Sequence, residues 1–155
     1  TNATKDKRKC NKAGKPPVAH SEACAFQFTG TAGVKTTLTQ LVPIDGITPG
    51  ATLVLSGWAY AKNVAVGGKL QVKLKYTDTT KAKVKLEVAP GSYEYVKLQQ
   101  VATVTGALDS VKVTLSMQAD GGKFYVDDIS LTLTSSVRRD GLIALPGVPG
   151  LSRQG

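Results

Sequence analysis

The sequence predicts an all-β protein, a sandwich or barrel of about eight short strands. Three observations carry that expectation. Several runs alternate apolar and polar residues with period two; in Lys69–Thr77 (KLQVKLKYT), Leu70, Val72, Leu74 and Tyr76 face one way and Lys and Gln the other. Turn pairs separate these runs: Asp45-Gly46, Pro49-Gly50, Gly67-Gly68, Pro90-Gly91 and Gly121-Gly122. Apolar residues at helical spacing are absent, and β-branched residues dominate. A chain of 155 residues suffices for one domain with a real core.

Taken in order, residues 1–22 are polar, basic and interrupted by Pro16-Pro17, and read as an irregular leader. The sandwich is expected over 23–134. Ala23–Thr29 is its first clear strand, with Cys24, Phe26 and Phe28 on one face. Val34–Val42 follows, Leu38 being its clearest inward residue. Thr52–Lys62 sets Leu53, Leu55, Gly57, Ala59 and Ala61 against Val54, Ser56, Trp58 and Tyr60. Lys69–Thr77 and Ala82–Val88 alternate cleanly. Tyr93–Thr105 is less regular, a strand or a pair of strands. Ser110–Gln118 buries Val111, Val113, Leu115 and Met117. The closing strand is Lys123–Leu133. Phe124 and Val126 share one parity there, and Ile129, Leu131 and Leu133 the other. One strand buries both sets only if it slips by a residue, and a β-bulge at Asp127-Asp128 supplies the slip. Residues 135–155 form an apolar, Pro/Gly-rich tail. Both termini are expected to be ordered extensions of the sandwich.

Net charge is +9, with basic clusters at Lys5–Lys15 and along Lys69–Lys85. Such charge points to an anionic surface or an acidic polysaccharide. The second cluster alternates with apolar residues, as the solvated face of strands does. No aromatic residues interleave with the basic leader and no nucleic-acid motif is present, so no nucleic-acid partner is expected. No run approaches the roughly 20 apolar residues of a membrane span. The chain opens on Thr1, which suits a processed, exported protein at the cell surface or beyond it. Cys10 and Cys24 are then expected to form a disulfide across thirteen intervening residues.

Eleven carboxylates and one histidine are scattered over loops and solvent faces. No nucleophile elbow, metal-binding helix or phosphate loop is present, and a non-enzyme is expected.

Three segments carry a resemblance: CAFQFTG, TLVLSGWAYAK and KFYVDDISL. Together they resemble the jelly-roll carbohydrate-binding modules, galactose-binding-like sandwiches attached to many secreted glycosidases and surface proteins. The likeness spans Ala23 to Leu133 and implies a jelly-roll sandwich. It implies glycan binding on a sheet face or at loop tips, with Trp58 and Tyr60 as the candidate platform. The competing reading packs Trp58 against the leader or tail, which the usual burial of large aromatics favours. The resemblance also brings a structural calcium, for which Asp127 and Asp128 alone are thin ligands; otherwise no cofactor is expected. Full modules open with an Asn-x-x-Phe-Glu strand that pairs with the last one, and nothing like it precedes Cys10.

A missing first strand would leave the closing strand with an open acceptor edge along Phe124, Val126, Ile129 and Leu131. The tail suits such an edge. Leu142, Ile143, Ala144 and Leu145 can run as a short strand that Pro146 ends, and Val148 and Leu151 can fill pockets beyond it. The leading expectation is therefore an extracellular structural subunit that polymerises with itself into a filament, each tail completing a neighbour's sheet. A secreted carbohydrate-binding module or adhesin domain is the alternative.

Overall fold

The computed structural model describes residues 5–134. They form nine strands: β1 (Lys7–Cys10), β2 (Cys24–Thr29), β3 (Lys35–Val42), β4 (Thr52–Val64), β5 (Gly68–Tyr76), β6 (Lys81–Glu87), β7 (Gly91–Thr103), β8 (Leu108–Gln118) and β9 (Lys123–Thr134). Two antiparallel sheets face each other, one ordered β1-β2-β9-β4-β7 and the other β3-β8-β5-β6. The architecture is the expected jelly-roll sandwich.

The alternation in the sequence is what packs the two layers. In β5, Leu70, Val72, Leu74 and Tyr76 are buried. In β4, Leu53, Leu55, Ala59 and Ala61 are buried, and in β8 Val111, Val113, Leu115 and Met117. Phe28 and Phe124 anchor one end, their ring centroids 6.0 Å apart. β6 alternates as cleanly, yet Ala82, Val84 and Leu86 are only half-buried, because β6 is the edge of its sheet. The 91–103 segment is one strand rather than two, with register shifts against β4 at Ala59/Ala61 and Ala61/Val64.

The bulge in the closing strand is where the parity change required it. Ser56 pairs with Ser130 and Trp58 with Asp127, so two residues of β4 span three of β9. Asp128 takes a left-handed backbone, φ 49°. A Cβ on Gly57, opposite the bulge, would run into the Ile129 side chain, so glycine there makes room for the slipped strand. Phe124 and Val126 before the bulge, and Ile129 and Leu131 after it, all pack on the one core.

Two expectations are corrected. The leader is not wholly irregular: Lys7–Cys10 is a strand paired with β2, Arg8 opposite Phe26 and Lys9 opposite Ala25. Its charged residues suit an edge, since they discourage further strand addition. Nor is β9 open along its length. Phe124 and Val126 pair with Phe28 and Phe26 of β2 on one side and with Ala61 and Ala59 of β4 on the other. The position beside β9 that was expected to stand open is filled by β2, so these two residues offer no acceptor edge. Past Val126, Ile129 and Leu131 lie in the half of β9 that pairs with β4 alone among the described residues. The tail residues Leu142, Ile143, Ala144, Leu145, Val148 and Leu151 lie outside the described residues.

Candidate functional site

Cys10 and Cys24 are directly opposed in the β1–β2 ladder and joined by a disulfide. The crosslink closes the leader into a loop over the outer face of the five-stranded sheet. Asn11 organises that loop from inside. Its backbone N–H donates to the Ala23 carbonyl at 2.7 Å. Its Oδ1 accepts from the Val18 and Ala19 N–H groups at 2.7 and 3.1 Å, and its Nδ2 donates to the Glu22 carbonyl at 3.2 Å. One asparagine side chain thus satisfies backbone groups that a loop of this size would otherwise leave to water.

The loop is clamped to the sheet by the residues flanking the bulge. Asp127 Oδ2 accepts the N–H groups of His20 and Ser21 at 2.9 and 3.3 Å. Its Oδ1 accepts the Asp128 N–H at 3.0 Å. Asp128 accepts from the Ser21 hydroxyl, and its Oδ2 lies 2.8 Å from His20 Nδ1. Those hydrogen bonds from Ser21 and His20 hold the Asp128 carboxyl below the usual aspartate range. The left-handed residue at the bulge is what turns Asp128 to the same side as Asp127.

Trp58 is under this loop. The His20 ring stacks on it with centroids 3.8 Å apart and planes 16° from parallel. The Tyr95 hydroxyl donates to the Val18 carbonyl at 2.8 Å. Trp58 therefore packs against the leader and does not offer a bare stacking face, whereas its companion Tyr60 does border open space.

That space is a cleft of about 600 Å³ between the loop and the sheet. Tyr60, Tyr95 and Tyr125 form its aromatic floor. Tyr60 sits 5.6 Å from Tyr95 and 5.3 Å from Tyr125, centroid to centroid. Burial pushes the Tyr95 hydroxyl well above its ordinary pKa, aided by the Asp127 charge, and burial raises Tyr125 likewise. The Tyr95 proton is committed to the Val18 carbonyl, so that ring offers the cleft its face and an acceptor oxygen. Pro16, Pro17 and Val18 form part of the opposite wall.

Of the residues singled out from sequence, Tyr60 lines the cleft, while Trp58, Asp127 and Asp128 hold its roof. Sequence reading missed Tyr95 and Tyr125. Tyr125 had a usable signal, since it lies between inward Phe124 and Val126 and must point outward. Tyr95 had none, because β7 carries the two register shifts.

The calcium suggested by the resemblance does not fit here. Both carboxylates are taken up by hydrogen bonds from His20 and Ser21 of the leader. Among the described residues no group of three or more His, Cys, Asp or Glu is placed to hold a metal. No described helix is long and apolar enough to cross a membrane.

No protein-family model and no curated protein sequence matches this chain. Solved structures match its fold. A family 16 carbohydrate-binding module superposes with TM-score 0.62 at 20% identity, over 74% of this chain and 79% of that one. A family 22 xylan-binding domain gives 0.55 at 14%, over 84% and 83%. A family 61 module in complex with β-1,4-galactotriose gives 0.52 at 20%, over 74% and 73%. The fold is that of carbohydrate-binding modules.

Proposed function

We propose that this protein is a secreted, non-catalytic carbohydrate-binding module whose glycan lies in the cleft between the cystine-closed leader and the sheet. One observation carries the reading. Three tyrosines converge on a cleft of about 600 Å³ on a sheet face of this fold. Tyrosine gives a sugar both an apolar ring to lie against and a hydroxyl to bond. Solved modules of this fold bind xylan and β-1,4-galactotriose, which supports a polysaccharide as the ligand class. The disulfide suits an oxidising, extracellular setting.

The test is affinity electrophoresis through gels containing a panel of polysaccharides. At least one should retard the native protein, and Tyr60→Ala should abolish the retardation without changing the melting temperature by more than a few degrees. Mobility unchanged on every polymer, for a protein shown to be folded, would end the reading.

Self-assembly is the second reading, and the half-open strand favours it. Beside Ile129 lies a groove of about 250 Å³, its apolar lining of Phe26, Leu38, Val113, Leu115 and Val126 bordered by Gln40, Asp127 and Asp128. An apolar segment such as 142–145 of a neighbouring copy has the composition to fill it. Negative-stain microscopy of the whole chain and of a chain lacking residues 140–155 tests this. Filaments from the whole chain alone support it, and filaments from neither or from both count against it.

A further inference from the structure

We infer that the ligand of the cleft is an acidic glycan, one whose sugars carry carboxylate or sulfate groups; this rests on the cleft being the carbohydrate site. Lys9, Lys12, Lys15, Lys62 and Lys123 ring the three tyrosines, against one carboxylate, Glu94. They come from four separate places. Lys9 is on β1, Lys12 and Lys15 on the leader loop, Lys62 on β4 and Lys123 on β9. Among the described residues none of the five has an ion-pair partner.

The chemistry of the lining is one-sided. A neutral sugar hydroxyl both donates and accepts, and a site for it must supply acceptors as well as donors. Each lysine ammonium carries three donors and no acceptor. Glu94 is the one carboxylate of the lining, and Asp127 and Asp128, outside it, are already occupied by the leader loop. Such a lining matches a ligand rich in acceptors, which carboxylate and sulfate are.

The placement of two lysines points the same way. Lys62 and Lys123 are direct cross-strand partners at the cleft's end. Like charges so opposed destabilise a bare sheet. An anion seated between them turns that repulsion into attraction for both. The loop lysines 12 and 15 stand across the cleft, so an extended chain over the tyrosines meets ammonium groups on both sides.

The experiment compares polygalacturonate with the same polymer after carboxyl reduction, and with polyacrylate, a polyanion without sugar rings. Calorimetry is run on the native protein, on Lys62→Gln/Lys123→Gln, and on Lys73→Gln/Lys83→Gln, which alters the basic face of the other sheet. Native protein should bind polygalacturonate, weaken steeply with salt, and bind the reduced polymer at least about tenfold less tightly, about 1.4 kcal/mol. The Lys62/Lys123 variant should lose a similar factor and the Lys73/Lys83 variant should not. A sulfated galactan bound in place of polygalacturonate, with the same variant pattern, identifies sulfate as the anionic group. Equal binding of acidic and reduced polymers overturns the acidic class while leaving the carbohydrate reading intact. Equal binding of polyacrylate and polygalacturonate overturns both.

Discussion

Removing the disulfide tests the whole account of the leader. In Cys10→Ala/Cys24→Ala the β1–β2 ladder keeps its four paired residues, but nothing covalent closes the loop. The crosslink spans a sequence separation of 14. Closing a loop of this size restricts the unfolded chain by about 3 kcal/mol in the chain-entropy model. Against that stand the loop's non-covalent anchors: two backbone N–H bonds to Asp127, the Asp128 contacts and the Tyr95–Val18 bond. Each is worth about 1 kcal/mol net, so the loop should still dock, but about a hundredfold less securely. At a urea slope of about 1.5 kcal/mol/M the unfolding midpoint should fall by about 2 M. Trp58, the single tryptophan, reports the loop directly because His20 covers it. Acrylamide should quench its fluorescence more strongly in the variant than in the native protein. A midpoint within about 0.3 M of native, together with unchanged quenching, would refute the claim that the disulfide holds the leader over the sheet.

Four further outcomes follow from particular contacts. Gly30→Ala should destabilise the fold more than Gly57→Ala. The added methyl meets the Gly121 backbone at position 30 but only the end of the Ile129 side chain at position 57, where about 1–3 kcal/mol is expected; paired chemical melts decide the order. Lys73→Gln should raise the melting temperature in low salt and not in 1 M salt, as about 3 Å of screening length removes the effect. The neighbouring Lys81 charge, then burial, then Lys83, Lys112 and Lys75 already depress the Lys73 pKa, so its charge is unfavourable where it stands. Acid should loosen the leader: Asp128 has a lowered folded pKa, so its contribution is complete above its ordinary value of 3.8 and disappears as pH falls through the lower folded value. Trp58 quenching across that range should rise in the native protein and stay flat in Asp128→Asn. Trp58→Ala should release the leader by removing the His20 stack, seen as faster proteolysis between residues 11 and 23, while β-sheet circular dichroism persists.

Much of the fold was legible because a strand has a period of two and a buried face. Leu70, Val72 and Leu74 announce which side of β5 meets the core, whatever lies opposite. The bulge at Asp128 was legible for the same reason: Phe124 and Ile129 have opposite parity and both are apolar, and only a slip buries both. The disulfide was expected from the two cysteines once an exported setting was assumed, and the folded chain holds it. What the sequence left open was which strands become neighbours. Pairing joins residues far apart in the chain, and alternation does not name the partner. That β2 takes the place beside β9, and so closes half of the edge expected to be free, is a tertiary outcome. The site depends on the same kind of choice. Tyr60, Tyr95 and Tyr125 stand on three strands drawn together only by sheet order; Lys62 and Lys123 come with those strands, and Lys9, Lys12 and Lys15 join them because a cystine folds the leader back over that face. The Asp127-Asp128 pair, only a thin calcium candidate through the resemblance, is in the folded chain the latch for His20 and Ser21, because the bulge aims both carboxylates at a loop more than a hundred residues away.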